Sequence, residues 1–242
     1  MKTYKAGTFL RVVAVLAVAV AGCKLAQAQS CNVEWTGNAG TDAWGTAQNW
    51  STHEVPGPAS DVCILTAPST GSVDTTGTPS ISVHSIQVGK GVGLAFGAGQ
   101  TASIATTLTS QGYLTIFNGG TVSATLIDML SGSLVGSGTI EGSLTNNGYV
   151  SPQAGSFTVT GNYTQLSGGE LSLQYWGASA LFVGGNASLS GILQVSVNPK
   201  RPPKKGSSYT IMTFNSLNGE FTSVSSGFFL KYSANNIVVT YQ

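Results

Sequence analysis

The chain has 242 residues, of which only 8% are charged against about 25% in an ordinary soluble domain, while 41% are hydrophobic and 32 are Gly. That composition excludes a disordered polyelectrolyte, because short runs of Val, Ile, Leu, Phe and Tyr supply apolar surface to offset the entropy of ordering the chain. It also excludes a basic nucleic-acid-binding face: Lys2, Lys5, Arg11 and Lys24 all precede residue 29, leaving six Lys+Arg against nine Asp+Glu and a net charge of −3 beyond it.

The first predicted element is a secretory signal over 1–28. Lys2, Lys5 and Arg11 precede an apolar run at 12–21, and Ala26-Gln27-Ala28 is a small-x-small cleavage site. That run is too short to cross a bilayer of about 30 Å, and no later stretch reaches 18 apolar residues, so no transmembrane span is expected. Val20-Ala21-Gly22-Cys23 also resembles a bacterial lipobox. Cleavage there would leave Cys23 lipidated, and that anchor would be the chain's one route to a membrane. Both cleavage sites stand as readings of the sequence.

Residues 29–66 form an aromatic zone holding Trp35, Trp44 and Trp50, His53 and four acids, Glu34, Asp42, Glu54 and Asp61. With Cys23 assigned to the signal or anchor, Cys31 and Cys63 remain as an even pair in a chain bound for an oxidising compartment. A Cys31–Cys63 disulfide is expected, with two buried thiols as the alternative; the bridge would stabilise the head by about 3 to 4 kcal/mol in the chain-entropy picture. The three Trp have two readings. They could cover the open end of the fold, or they could offer flat faces to sugar rings, with Asp42, Asn49 and Glu54 as polar partners.

From 67 to 176 one pattern returns: Gly, a variable residue, an apolar residue, then Ser or Thr. It reads GYLT at 112, GSLT at 142, GYVS at 148, GSFT at 155 and GELS at 169, with GSLV at 132 as a near match. Alternation of period two follows, as in Leu114-Thr-Ile116 and Phe157-Thr-Val159, so each unit reads as a strand of three to five residues with one buried face. The starts are 20, 10, 6, 7 and 14 residues apart, too irregular for blades of fixed size. Such short strands also argue against a meander or sandwich, because they hold poorly unless equivalent strands lie above and below. The fold class predicted is all-β, a right-handed parallel β-helix, with Asn146-Asn147 in a polar stack at a bend.

Residues 177–242 alternate over longer runs, such as Leu193, Val195 and Val197, then Ile237, Val239 and Tyr241, with turn residues at Leu217-Asn218-Gly219 and Ala234-Asn235-Asn236. They are expected to form an antiparallel cap, which keeps the last coil from exposing its edge. The cluster PKRPPKK at 199–205 reads as an exposed connection, with contact to an anionic surface as the sharper alternative.

Two stretches resemble a known group. "VGSGTIEGSLTNNGYVSPQAGSFTVTGNYTQ" at 135–165, then "GGELSLQYWGASALFVGGNASLSGILQVSVNP" and "YTIMTFNSLNGEFTSV", are similar to passenger-type β-helices of bacterial autotransporters, adhesins and related secreted proteins. Trp35-Thr36-Gly37, Trp44, Asn49-Trp50, Val55-Pro56-Gly57 and Asp61-Val62-Cys63-Ile64 resemble the opening that often precedes such solenoids. The resemblance implies a bacterial secreted or cell-surface protein. No set of ten-residue amphipathic strands follows in this sequence, so self-secretion through a barrel is not carried over.

β-Helices also include polysaccharide-cleaving enzymes, whose sites need clustered carboxylates with a nearby base. Between 91 and 199 there is no Lys, Arg or His, and the acids are Asp128, Glu141 and Glu170. Asp128 reads as a turn or corner residue, Glu141 and Glu170 as solvent-facing strand residues. His53 and His84 lie in no G-x-S-x-G elbow, and the calcium repeat G-G-x-G-x-D is missing. The expectation is therefore a non-enzyme without metal or cofactor, structural or adhesive at a surface or in a matrix, with a surface polysaccharide or another surface protein as partner. A carbohydrate-binding or polysaccharide-cleaving protein is the alternative.

Overall fold

A computed structural model describes residues 30–175 and 179–242. The expected signal at 1–28, with Cys23, and Trp176 lie outside the described residues. Within them the chain is a parallel β-solenoid of about six turns, without α-helix and with a short 3-10 turn at Ala47–Asn49.

Three ladders of parallel strands run along the axis. The first starts at Val33–Glu34 and passes through Asp61–Ile64, Ser85–Val88, Thr107–Ser110, Tyr163–Gln165 and Ala187–Leu189 to Leu217–Gly219. The second includes Ser72–Asp74, Gly93–Phe96, Glu170–Gln174, Ile192–Ser196 and Ser223–Val224. The third includes Ile81–Val83, Thr101–Ile104, Leu181–Val183 and Ser208–Thr213. Three long strands, Tyr113–Met129, Ser133–Asn146 and Tyr149–Val159, bend through the corners and so serve more than one ladder each. The strands of three to five residues expected from sequence are thus single faces, which in the middle coils run on without a break.

The apolar alternation places like on like. Val62, Ile86, Leu108, Ile127, Leu144 and Tyr163 stack inside the first ladder, Leu94, Leu114, Leu134 and Val150 inside the second, and Val122, Ile140, Val159 and Val183 inside the third, none more than 4% exposed. Each such side chain, fully buried, contributes about 1.5 to 3 kcal/mol, which a lone three-residue strand could never collect. Coil length is free as long as the faces stay in register. Paired residues lie 24 apart at Val62 and Ile86, 17 apart at Ile127 and Leu144, and 30 apart at Leu189 and Gly219, which explains the irregular motif spacing.

Where the first ladder turns into the second, the inward stack becomes polar. Ile64, Val88, Ser110, Met129, Asn146 and Gln165 follow one another in register, and all are buried. Asn146 Nδ2 donates to the Glu170 carbonyl at 3.0 Å and its Oδ1 accepts from Gly148 N at 3.0 Å. Gln165 Nε2 donates to the carbonyls of Ser190 and Ile192 at 2.9 Å, and Tyr163 Oη donates to Gln165 Oε1 at 2.6 Å. These amides bond carbonyls at the corner and at the start of the second ladder's strands. Asn147 points outward, donating to the Leu130 carbonyl at 3.3 Å.

Glycine is needed where a corner approaches the coil beneath it. Gly142 has φ 141°, and a Cβ there would lie 1.7 Å from the Ala124 carbonyl oxygen; Gly136, at φ 121°, would meet the Ile116 carbonyl oxygen at 1.9 Å.

The ends of the solenoid extend past the boundaries expected from sequence. The parallel ladder begins at Val33, inside the aromatic zone assigned to 29–66, and runs to Val224, well beyond residue 176. At the tail only Phe228–Tyr232 and Asn236–Tyr241 add antiparallel pairing, the second of them onto Ser208–Thr213. The antiparallel cap is therefore a hairpin plus its partner strand. Alternation identifies the buried face of a strand but carries no sign of its partner's direction, so 181–224 looked the same either way.

Candidate functional site

The Trp head covers the first coil and closes two strand edges. Ser51 N bonds the Glu34 carbonyl at 2.9 Å and Thr36 N the Asn49 carbonyl at 2.7 Å, capping the first ladder. Trp44 N bonds the Asp74 carbonyl at 2.8 Å and Asp74 N the Asp42 carbonyl at 2.7 Å, capping the second. Cys31 and Cys63 form a disulfide with a Cα–Cα distance of 5.7 Å, tying the start of the first strand to the coil above.

Trp35, Trp44 and Trp50 are 3%, 1% and 0% exposed. Trp50 makes edge contacts with both others, at ring separations of 5.0 and 4.8 Å, and its Nε1 donates to the Trp44 carbonyl at 2.8 Å. With faces packed against each other and the core, the rings offer no platform to a sugar. Asn49 is buried and spent on the turn: it donates to the Thr41 carbonyl at 2.8 Å and accepts from Ala39 N at 3.0 Å. Asp42 accepts from Ser69 and Thr70, and these hydrogen bonds, the Thr70 hydroxyl foremost, hold its carboxyl below the ordinary value. Glu54 is exposed in a turn. The residues proposed as a glycan site are thus divided between core, turn and solvent.

The closest approach to a catalytic constellation is Asp61, His84 and Ser85. Asp61 and Ser85 are register partners; His84 Nδ1 lies 2.8 Å from Asp61 Oδ1, and Ser85 Oγ donates to the same oxygen. A serine nucleophile needs the imidazole between hydroxyl and carboxylate. Here the carboxylate lies between the other two, so the group ties coils together and forms no relay. His53 sits at φ 56° in an exposed turn. Among the described residues no three His, Cys, Asp or Glu side chains are grouped to hold a metal.

What the fold assembles instead is a set of flat polar faces. On the third ladder Thr101, Thr121, Thr139 and Thr158 are in register, and Ser103, Ser123 and Glu141 form a second row two residues on. Each repeats at the strand spacing of about 4.8 Å. The signal was present in the sequence as Thr101-Ala-Ser103, Thr121-Val-Ser123, Thr139-Ile-Glu141 and Thr158-Val-Thr160. It could not be read as an array until the coil lengths between these triplets were known. The first ladder is similar outside, with Gln87, Thr109, Asp128 and Thr145 in register.

Asp128 therefore stands on a strand between Thr109 and Thr145, not at the corner expected of it. Desolvation pushes its carboxyl above the ordinary value. An acid whose pKa rises on folding is charged at a cost at neutral pH, a cost that fades as pH falls through its folded pKa. Asp128→Asn should accordingly raise the thermal midpoint at pH 7, with the gain disappearing towards about pH 4; an equal gain at both pH values would contradict the assignment. Glu141 is exposed on the third ladder, as expected, and Glu170 is half-buried on the second, paired with Tyr149 and Ile192.

The geometry places the chain in the class of parallel β-solenoids, with polar in-register rows on the outer faces of its first and third ladders. In comparisons with protein-family models, curated proteins and solved structures, nothing matches the chain.

Proposed function

We propose that this protein is a non-catalytic, exported component of a bacterial cell surface or extracellular matrix, with a structural and adhesive role like that of the autotransporter passengers it resembles. The observation that carries this reading is the third-ladder array of Thr101, Thr121, Thr139 and Thr158 with its Ser row, a flat face of repeated hydroxyls on a rigid core. Such a face suits many weak, repeated hydrogen bonds to a surface polysaccharide or to another surface protein, where valency replaces a deep pocket. Export is supported by the signal-like 1–28 and by the disulfide, which persists in oxidising compartments. Intact mass of the exported protein distinguishes a start after Ala28 from lipidation at Cys23.

Replacing Thr121, Thr139 and Thr158 together by the isosteric Val, which removes only the hydroxyls, should lower retention on matrix polysaccharide or on cells by about tenfold or more, equivalent to about 1.4 kcal/mol, while thermal stability holds. Unchanged retention would remove the face from the account. Release of reducing or unsaturated ends from a polysaccharide panel would replace adhesion by cleavage.

A further inference from the structure

Charge is segregated along the rod. Five of the nine acids, Glu34, Asp42, Glu54, Asp61 and Asp74, belong to the head and first coils. Five of the six cations among the described residues, Lys200, Arg201, Lys204, Lys205 and Lys231, belong to the tail, where Glu220 is the one acid after residue 200.

Four of these cations are displayed by a shaped loop. Lys200 N bonds Asn198 Oδ1 at 2.9 Å, Arg201 N the Asn198 carbonyl at 3.0 Å and Ser207 N the Lys204 carbonyl at 3.0 Å, while Gly206 N fastens the loop to the Tyr241 carbonyl at 2.7 Å. Pro199, Pro202 and Pro203 stiffen it. The four side chains are exposed, and among the described residues no carboxylate lies within salt-bridge distance of them.

An exposed aromatic ring belongs to the same end of the rod. Phe229 lies opposite Thr240, and Thr240 opposite Ser208, whose hydroxyl is 2.7 Å from that of Thr240, so all three side chains share the outer face of the cap. Lys231 follows on the same face, and Lys205 is three residues before Ser208. Two strand spacings, about 10 Å, separate Phe229 from the strand into which the loop leads. At 67%, Phe229 is the most exposed large hydrophobic side chain among the described residues.

A neutral sugar would use the ring alone, and a dissolved polyanion the cations alone. An anionic bilayer uses both, the ring entering the interface and the cations meeting headgroups. The same surface repels the acidic head, so the charge segregation sets the orientation. We infer that the tail of the solenoid, Phe229 with Lys200, Arg201, Lys204, Lys205 and Lys231, docks on an anionic lipid surface with the Trp head directed away. This contact is separate from the hydroxyl face, and its failure leaves the adhesive reading standing.

Co-sedimentation of the full chain with vesicles of phosphatidylcholine, and of phosphatidylcholine mixed with phosphatidylglycerol, tests it. Binding is expected to the mixed vesicles and to weaken with salt. K200S/R201S/K204S/K205S should reduce it by about 100-fold or more, since each basic residue near such a surface strengthens partition about fivefold. F229S should reduce it by roughly tenfold. All the substituted side chains are exposed, and residues 1–29 stay the same throughout; an unchanged thermal midpoint confirms the variants are folded. Equal binding to phosphatidylcholine alone, or parental binding by the quadruple variant, overturns the inference. Retention by a dissolved acidic polysaccharide with none by vesicles, or salt-sensitive self-association that the quadruple variant abolishes, also overturns it, in favour of those partners.

Discussion

Gly142→Ala is expected to destabilise the protein by about 3 kcal/mol or more, combining the overpacking and backbone-strain costs of a single added methyl. The methyl would lie 1.7 Å from the Ala124 carbonyl oxygen, well inside contact distance, at a backbone φ of 141° that side chains rarely adopt. Neither obstacle can relax cheaply. Gly142 N donates to the Thr160 hydroxyl at 3.0 Å and Gly161 N donates to the Gly142 carbonyl at 2.8 Å, so a shift of the corner is passed to the coil above. Denaturant unfolding checks this, with Glu141→Ala as the control: Glu141 is the exposed neighbour of Gly142 on the same strand and should change stability by no more than about 0.5 kcal/mol. Similar small effects at both positions would mean that the coils are not packed as closely as this.

The second large effect is expected at Trp50. Trp50→Ala removes a fully buried ring, two edge contacts and the hydrogen bond to the Trp44 carbonyl, at a cost of about 3 to 5 kcal/mol. Because each coil of a solenoid touches only its neighbours, the loss should be local. Amide hydrogen exchange should accelerate over 30–90 and remain slow over 140–195. A variant with retained stability but lost glycan retention would restore the tryptophans to a binding role.

Much of the fold was legible because the buried faces repeat the same short alternation and no helix-length pattern interrupts it. The disulfide was legible as well, from the even pair left after the expected export signal. Coil boundaries were not, since a corner can add or drop residues without disturbing Ile127 over Leu108 or Leu144 over Ile127. The same freedom hid the Thr101–Thr158 row, whose members lie at unequal intervals in the chain. For the tryptophans, sequence offered both cap and platform, because an aromatic cluster has the same residue types whether its faces are packed or bare. Burial alone separated them. Inward Asn146 and Gln165 could be suspected of a corner role only in part: Asn147 beside Asn146 points the other way, and nothing in residue type announces that difference.

Distances between spin labels introduced on the outer face of the third ladder test the stacked arrangement most directly. With one label at Thr101 and the second moved from Thr158 to Phe182 and then Thr213, which follow one another in register, the separation should grow by about 5 Å at each step. Separations that stay level or shrink as the second label moves along the chain, as hairpins folding back on one another would give, would contradict the solenoid and with it the displayed face.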